Sequence, residues 1–338
     1  MPATIRDLAE KAGVSASTVS RAFSRPEKVD AATRDRILAL AESLGYEPSS
    51  AARSLKTGRT GALGIVVPDL SNPFFPDVVR GMQHRARAHG YPVLLADSAE
   101  DPAAEVALVR TLARNVDAMV LCSPRMSDDD LCEASELRPV VLVNRAAPPD
   151  ATGIVSAVRI DNTSGIHQAV HHLRALGHRR IGFVSGTSTS RSNEERLVAF
   201  TASTGSAGLD GVLIGPYQPT VAGGAAAADD ALVADVTAVV VYNDIMAAGL
   251  MGRLARLGVE LPGRLSIVGF DDIAFSALLT PALTTVRIPL ELAGSVAVDR
   301  LHAHLTGIAP AAGRPAPLPT ELIVRDSTAA LTAAVPST

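Results

Sequence analysis

Two rhythms of apolar and polar positions divide the chain. Through the first sixty residues apolar side chains recur at helical spacing, at Ile5, Leu8, Ala9 and Ala12, then Val19 and Phe23, then Ile37, Leu38, Ala41 and Leu44. From Gly61 onward short apolar runs alternate with longer helical stretches. "ALGIVVPD", "YPVLLAD", "DAMVLCS" and "PVVLVNR" predict buried parallel strands, separated by helices near 74–89, 101–115 and 127–137. A second set follows: "AVRIDN", "RRIGFVSG", "GVLIGP", "TAVVVYND" and "LSIVGFDD" alternate with helices at 163–177, 192–205, 222–234 and 244–257. Two successive series of this kind predict two doubly wound α/β lobes, each with ligand-facing loops at the C-terminal ends of its strands.

Within the first rhythm, Thr4 and Asp7 stand at capping-box spacing and open a helix. Gly13 supplies a left-handed turn, Val14 staples it, and Ser15 is placed to cap a second helix. Ala9, Gly13 and Val19 are the small, corner and branched residues that two steeply crossing helices require, which is the helix-turn-helix pattern. On the second helix Ala16, Ser17 and Arg21 share the outward edge while Val19 and Phe23 point inward. Arginine suits the O6 and N7 of guanine, and small hydroxyl residues fit against base edges or phosphates. The same edge also suits the solvated face of an ordinary bundle. A third helix, capped at Asp30 and stopped by Gly45, closes the small core. Pro48 and Ser49 then begin a short helix that Gly58 ends; at that length it needs a partner to be stable.

Charge sharpens this division. Residues 1–60 carry ten Lys and Arg against seven Asp and Glu, a balance of +3, while the remainder carries −7. A basic head on an acidic body suggests a polyanion-binding module joined to something else. The 338 residues, 47% of them apolar, suffice for two or three folding units. The N-terminus has charges throughout and no apolar run approaches the roughly 18 residues that span a bilayer, so a cytoplasmic protein without a membrane partner is expected. Cys122 and Cys132 imply neither a disulfide framework nor a zinc site. His167 and His171 stand four apart on a helix, with His172 adjacent, but no third ligand accompanies them, and a solvated face is expected with no metal. No P-loop, G-x-S-x-G or nucleophile–base pair occurs, so neither a cofactor nor an enzyme is expected.

The loops that end the body's strands carry Asn72, Phe74, Ser123, Asn144, Arg196, Asn243 and Asp271. Amides, one guanidinium and one carboxylate make paired hydrogen bonds to adjacent hydroxyls, and an aromatic face covers a sugar ring or base. Phe74 or Phe75 would supply that face, with Tyr217 or Phe270 as further candidates. Each residue also has an ordinary role: asparagine as a turn residue, Asp271 as a cap, Arg196 as a surface ion-pair partner.

"TIRDLAEKAGVSASTVSRAF" followed by "GYEPSSAARSLKTGRT" resembles the head of the lactose/galactose repressor (LacI/GalR) family of bacterial transcription regulators. "PDLSNPFF", "VSGTSTSRSNEERLVAF", "VYNDIMAAG" and "SIVGFDDIAFSALLTPALTTVRIPLELAG" carry the resemblance through the body. It implies an α/β protein: an N-terminal three-helix helix-turn-helix head over 1–48, a hinge helix and linker over 49–60, and a two-lobed type I periplasmic-binding-protein-like domain with parallel sheets over 61–338. Strand exchange would place about 61–159 and 290–318 in lobe 1, and about 160–289 and 319–330 in lobe 2.

In this family the hinge helix folds on operator DNA beside its dimer mate and inserts a leucine into the minor groove. Leu55 holds that position here, with Ala52 and Lys56 beside it. The resemblance further implies phosphate contacts from Thr4, Ser15, Thr18, Lys28, Thr33, Tyr46 and Ser49, and effector contacts from Asn144, Arg196, Asn243 and Asp271. This chain departs from the family in having Asn144 where an acidic residue is common, no tryptophan, and a Gly- and Ala-rich stretch over 201–236.

The expected function is thus a ligand-responsive regulator, a repressor by resemblance, that binds palindromic double-stranded operator DNA as a homodimer or tetramer. A sugar or related small effector sits in the cleft. The alternatives are a sugar-binding protein without a regulatory role, and a regulator answering to a nucleoside, a purine or a protein corepressor. A transport-type binding protein would need a secretory signal and no helix-turn-helix, the reverse of what the sequence carries.

Overall fold

The computed structural model describes residues 3–46, 59–308 and 315–331. The expected hinge helix, with Ser49, Ala52, Leu55 and Lys56, lies outside the described residues. The chain divides into two units, Met1–Gly61 and Ala62–Thr338.

In the first unit, α1 (Ile5–Ala12) begins at a complete capping box: the Thr4 amide donates to Asp7 Oδ2 at 2.8 Å and the Asp7 amide to Thr4 Oγ1 at 3.3 Å. Gly13 ends it with φ 63°, a backbone that any Cβ would strain. Ser15 caps α2 (Ala16–Ser24), accepting from the Thr18 amide, and Asp30 caps α3 (Ala31–Ser43). Leu8, Ala9, Ala12, Val19, Ala22, Ile37 and Ala41 form the core. Leu38, expected inside, is 40% exposed, and Leu40 packs instead against that core. The α3 stripe that faces inward therefore keeps the expected Ile37, Ala41 and Leu44 and takes Leu40 in place of Leu38.

The second unit holds two sheets. The first contains β1 (Leu63–Val67), β2 (Val93–Asp97), β3 (Ala118–Cys122), β4 (Val140–Val143) and β5 (Ile154–Val158), all parallel, in the order β2-β1-β3-β4-β5. The second contains β6 (Arg180–Val184), β7 (Asp210–Ile214), β8 (Ala238–Val241), β9 (Ser266–Asp271), β10 (Thr284–Arg287) and β11 (Glu321–Ile323), in the order β11-β10-β9-β8-β6-β7 with only β11 antiparallel. Without β11 the two sheets have one topology. In each, the strand order reverses next to the first strand of the lobe, and the crevice above that reversal is where α/β sheets receive ligands.

The intervening helices are α4 (Phe74–Ala88), α5 (Pro102–Leu112), α6 (Asp128–Leu137), α7 (Asn162–Ala175), α8 (Arg191–Ser206), α9 (Val221–Val233), α10 (Asp244–Arg256) and α11 (Leu290–Thr306). After β10 the chain returns to the first lobe, where α11 packs against α4. The two helices meet through Gly81 and Gly294: a Cβ on Gly81 would lie 2.0 Å from the Glu291 carbonyl oxygen, and one on Gly294 2.1 Å from that of Val78. Any larger residue would push the helices apart. The passages between lobes pair with each other at Ile160 and Leu318, with the Asp161 amide donating to the Leu318 carbonyl at 2.9 Å.

Central strands β1, β3, β4, β8 and β9 are buried along their whole length. The expectation of burial fails at β2, an edge strand whose Leu94 and Leu95 are 40% and 38% exposed, and at the other edge, where Leu213 of β7 is exposed. The strand expected at "AVRIDN" lies earlier, at Ile154–Val158, and is half-buried.

Candidate functional site

Two surfaces carry the candidate chemistry, and each unit holds one of them. On α2, Arg21 and Ser17 are exposed, and Arg21 Nε donates to the Ser17 carbonyl at 3.2 Å. The Ser15, Ser17 and Thr18 hydroxyls form one cluster, with Ser15 Oγ 2.8 Å from Ser17 Oγ and 2.9 Å from Thr18 Oγ1. Ala16, expected on the outward edge, is half-buried against the head core, leaving Ser17 and Arg21 as its exposed members. Thr4 is exposed but its hydroxyl donates to Asp7 Oδ2 at 2.8 Å. Lys28 is exposed on a short 3-10 turn, Pro26–Lys28. Thr33 and Tyr46 are half-buried. Tyr46 packs on Phe23 with ring centroids 5.9 Å apart, and burial raises its phenol above its ordinary value.

In the second unit, the strand-end loops of both lobes converge. Asn72, Phe74, Phe75, Ser123, Asn144, Arg196, Asn243 and Asp271 all line one tight crevice, whose side chains leave a free volume of only about 10 Å³. The local backbone is costly to hold. Ser123, Asn144 and Asp271 have φ of 44°, 57° and 120°, a region in which non-glycine residues are strained and which recurs at ligand sites.

Hydrogen bonds fix what each side chain has left to offer. Asn72 Oδ1 accepts from the Phe74 amide at 3.1 Å and Asn243 Oδ1 caps α10 by accepting from the Met246 amide at 3.0 Å, which leaves their NH₂ groups as donors. Asn144 Nδ2 donates to Ser123 Oγ at 3.1 Å. The Phe74 and Phe75 rings meet edge to face at 4.9 Å.

Arg196, on α8, is 2% exposed. Its Nε donates to Asn162 Oδ1 at 3.0 Å and its Nη1 to the Tyr242 carbonyl at 2.5 Å, and its guanidinium lies 3.7 Å from the centroid of the Phe270 ring. Phe270 thus backs the arginine rather than facing a ligand. Asp271, 3% exposed, stands 3.6 Å from Arg196, beyond hydrogen-bond length, and its Oδ1 has no hydrogen-bond partner. Burial pushes its carboxyl well above the usual range, with Arg196 opposing the shift. A buried carboxylate oxygen left open beside a rigid guanidinium is ready to accept from a ligand hydroxyl.

Sequence reasoning missed Glu100, Arg125, Pro219 and Tyr242 on the same wall. Arg125 donates to both Glu100 oxygens, Nε at 2.5 Å and Nη2 at 2.8 Å, and its Nη1 donates to the Ser123 carbonyl at 2.7 Å. Beneath it the fully buried Glu105 accepts from the Arg125 and Met126 amides, both at 2.7 Å, and burial raises its carboxyl. Arg125 lies two residues beyond Ser123, a signal that the sequence did contain. Its pairing with Glu100, 25 residues away, has no local signature.

A wider mouth of about 720 Å³, open to solvent, lies beside the crevice. Asp69, Ser71 and Glu100 line it from the first lobe, and Thr187, Tyr217 and Gln218 from the second.

His167 and His171 are exposed, but His167 Nδ1 also meets Ser203 Oγ at 2.8 Å, so it is more than a solvated surface group. His172 is half-buried, with Nε2 3.0 Å from Thr328 Oγ1. Among the described residues no group of three or more His, Cys, Asp or Glu is placed to hold a metal ion. Burial pushes the Cys122 thiol up to about 12, as for an inert core residue.

Residues 4–49 match the model of bacterial regulatory proteins of the lacI family, and residues 170–328 that of the periplasmic binding protein-like domain. The HTH-type transcriptional repressor CytR of Escherichia coli (strain K12) is 34% identical over 337 residues, covering 97% of each chain. The HTH-type transcriptional regulator GalR of the same strain is 33% identical over 320 residues, 90% of this chain and 92% of that one. Among solved structures, the lac repressor dimer bound to operator and the anti-inducer ONPF superimposes with a TM-score of 0.86 at 26% identity, covering 98% of this chain and 100% of that one. A LacI family transcriptional regulator from Enterococcus faecium with bound ribose gives 0.70 at 27% identity, over 80% and 100%.

Proposed function

The chain belongs to the LacI family of bacterial transcription regulators, and from that premise we infer how its two surfaces divide the work. It is a DNA-binding regulator with a helix-turn-helix head and a periplasmic-binding-like effector domain. In the proposed division, Ser17 and Arg21 read base edges of the operator in the cytoplasm, while Thr4, Ser15, Thr18, Lys28, Thr33 and Tyr46 set register on its phosphates. Ser49, Ala52, Leu55 and Lys56 complete the DNA set, and no chemical reaction is catalysed.

The effector, a sugar or a related polyhydroxylated metabolite, occupies the cavity between the lobes. Its hydroxyls donate to Asp271 and accept from Arg196, Asn72 and Asn243, and the aromatic pair Phe74 and Phe75 flanks its ring. Because the ligand prefers one arrangement of the lobes, operator affinity and effector affinity are linked, and a coupling of about 1–3 kcal/mol suffices for a useful switch. The observation that carries this reading is the open, buried Oδ1 of Asp271, 3.6 Å from Arg196.

The test is operator binding on an inverted-repeat fragment, with and without effector. Asp271→Ala should abolish the effector response and leave basal operator binding in place. Retention of the full response would reject the assignment.

A further inference from the structure

The two lobes are joined by charge as well as by the passages of the chain. Asp128 opens α6, after β3 of the first lobe, and Arg191 opens α8, after β6 of the second. Across the gap, Arg191 Nη2 donates to Asp128 Oδ2 at 3.2 Å. Both ends are held from behind. Arg145, whose side chain is buried, donates to Asp128 Oδ1 at 2.6 Å and to the Pro124 and Met126 carbonyls at 2.9 and 2.7 Å. On the other side, Arg191 Nη1 donates to Glu194 Oε2 at 2.9 Å, one turn along its own helix. The first turn of a helix is a poor place for a cation, because the macrodipole is positive there. Arg191 thus gains nothing from its position in α8, and its favourable charge comes from Glu194 and from the facing lobe.

The bridge stands on the same segments as the crevice. Arg145 directly follows Asn144, and Arg191 lies in the helix that carries Arg196. Asn162 closes the seam between these segments, its Nδ2 donating to Asn144 Oδ1 at 3.3 Å and to Glu195 Oε2 at 2.8 Å. With the bridge made, the crevice is shut to about 10 Å³, so the bridge belongs to the closed arrangement of the lobes. When the lobes part, Asp128 keeps Arg145 and Arg191 keeps Glu194, and the bond between the two pairs is what is lost.

Resting on the linkage of lobe arrangement to operator affinity given above, we propose that Asp128 and Arg191 form a latch that sets the balance of closed and open lobes before any effector binds, with Glu194 competing for Arg191. The two side chains are 51% and 46% exposed, and a cavity of about 190 Å³ open to solvent lies beside them. A pair this exposed shifts a two-state balance by about two- to fivefold, enough to tune a switch without locking it. Dissolved salt weakens it further.

Amide hydrogen exchange of the full chain tests the latch with no ligand present. It is read around Asn72 and Asp271, which line the crevice and are remote from the bridge in sequence. Arg191→Gln should speed exchange there by about two- to fivefold. Glu194→Gln removes the competitor and should slow it by about twofold. A simple loss of stability cannot produce opposite signs in the two variants. Both differences should shrink at about 1 M salt, where the screening length is about 3 Å. Exchange unchanged in either variant, moving the same way in both, or differing equally at low and high salt overturns the latch.

Titration of the inverted-repeat fragment with the same variants separates this inference from the reading it rests on. Operator affinity should move in opposite directions in Arg191→Gln and Glu194→Gln. If exchange moves in opposite directions and operator affinity stays constant, the latch stands and the linkage between lobes and DNA fails.

Discussion

The head and the cleft hold their working residues in opposite ways. On the head Arg21 and Ser17 are exposed, Arg21 bonding to Ser17 one turn back and Ser17 to Ser15 at the N-cap. In the cleft Arg196, Asn243 and Asp271 are buried and built into the packing. The difference follows from the partners. Duplex DNA is large and brings dense charge, so exposed side chains meet it and lose their water on contact. A small ligand brings little driving force, so its site must be desolvated and oriented beforehand, at a cost to the fold. Substitutions in the head should therefore change DNA affinity with little effect on folding, and substitutions in the cleft should change both.

The largest expected effect tests the second half of that contrast. Arg196→Met keeps most of the volume against Phe270 but strands Asp271 and the Tyr242 carbonyl, and breaking a buried pair in this way destabilises by about 3–5 kcal/mol. Chemical denaturation of the single variant, and of the double variant with Asp271→Asn, reads the coupling directly. The double variant should recover part of the loss. An Arg196 variant as stable as the parent would show that the cleft is no more part of the fold than the head's outer edge is.

A pH measurement sharpens the same point from a neighbouring carboxylate. Asp244, the first residue of α10, accepts from Thr285 Oγ1 at 2.5 Å, Ser276 Oγ at 2.6 Å and the Ile273 amide at 3.0 Å, and so ties the loop after Asp271 to the helix that Asn243 caps. Burial outweighs these hydrogen bonds and raises its carboxyl from 3.8 to about 6. The folded state then binds the proton more tightly than the unfolded state. The resulting stability is complete below about pH 4 and is lost as the pH rises through about 6, by about 3 kcal/mol. Asp244→Asn has no such proton, so the stability gap between parent and variant should shrink over that window. A gap independent of pH would remove the buried charge from the account.

The same contrast explains what the sequence revealed. The head's exposed edge is a local property of one helix, and the Thr4 box, the Gly13 turn and the Ser15 cap are all settled within four residues. Central strands are legible because burial on both faces leaves continuous apolar runs, as at β3 and β4. Edge strands are not, since "YPVLLAD" has an equally apolar run yet exposes Leu94 and Leu95. Leu38 and Leu40 are both apolar neighbours in α3, and only tertiary packing chooses between them. In the cleft, strand ends marked the residues that project directly from β1, β3, β4, β8 and β9. Glu100, Arg125 and Glu105 were hidden because their partners come from different loops. Their meeting is a product of the fold, not of any sequence spacing.

Turning to the head, Arg21→Ala should weaken specific operator binding by about 1–3 kcal/mol and relax preference at one base position. The melting temperature should scarcely change, because the side chain is exposed and among the described residues bonds to Ser17 of its own helix. Operator titrations against a set of single-base variants, beside a thermal melt, read both quantities. A large drop in melting temperature with unchanged selectivity would invert the contrast, making Arg21 a structural residue.

The smallest effect falls where the two kinds of site overlap. Ser15 is exposed like Ser17 and Arg21, yet its Oγ accepts from the Thr18 amide at 3.2 Å as the N-cap of α2. Ser15→Ala therefore removes a proposed phosphate contact and a cap together. Loss of such a cap costs about 1 kcal/mol of stability, and loss of one neutral phosphate contact weakens binding to every DNA sequence alike. Ser15→Asp separates the two, because a carboxylate at the N-cap restores the helix while repelling phosphate. The expected result is that Asp regains most of the stability that Ala loses and binds DNA less well than Ala does. If stability and affinity instead rise and fall together across Ser, Ala and Asp, the hydroxyl acts on DNA only by holding α2 in place.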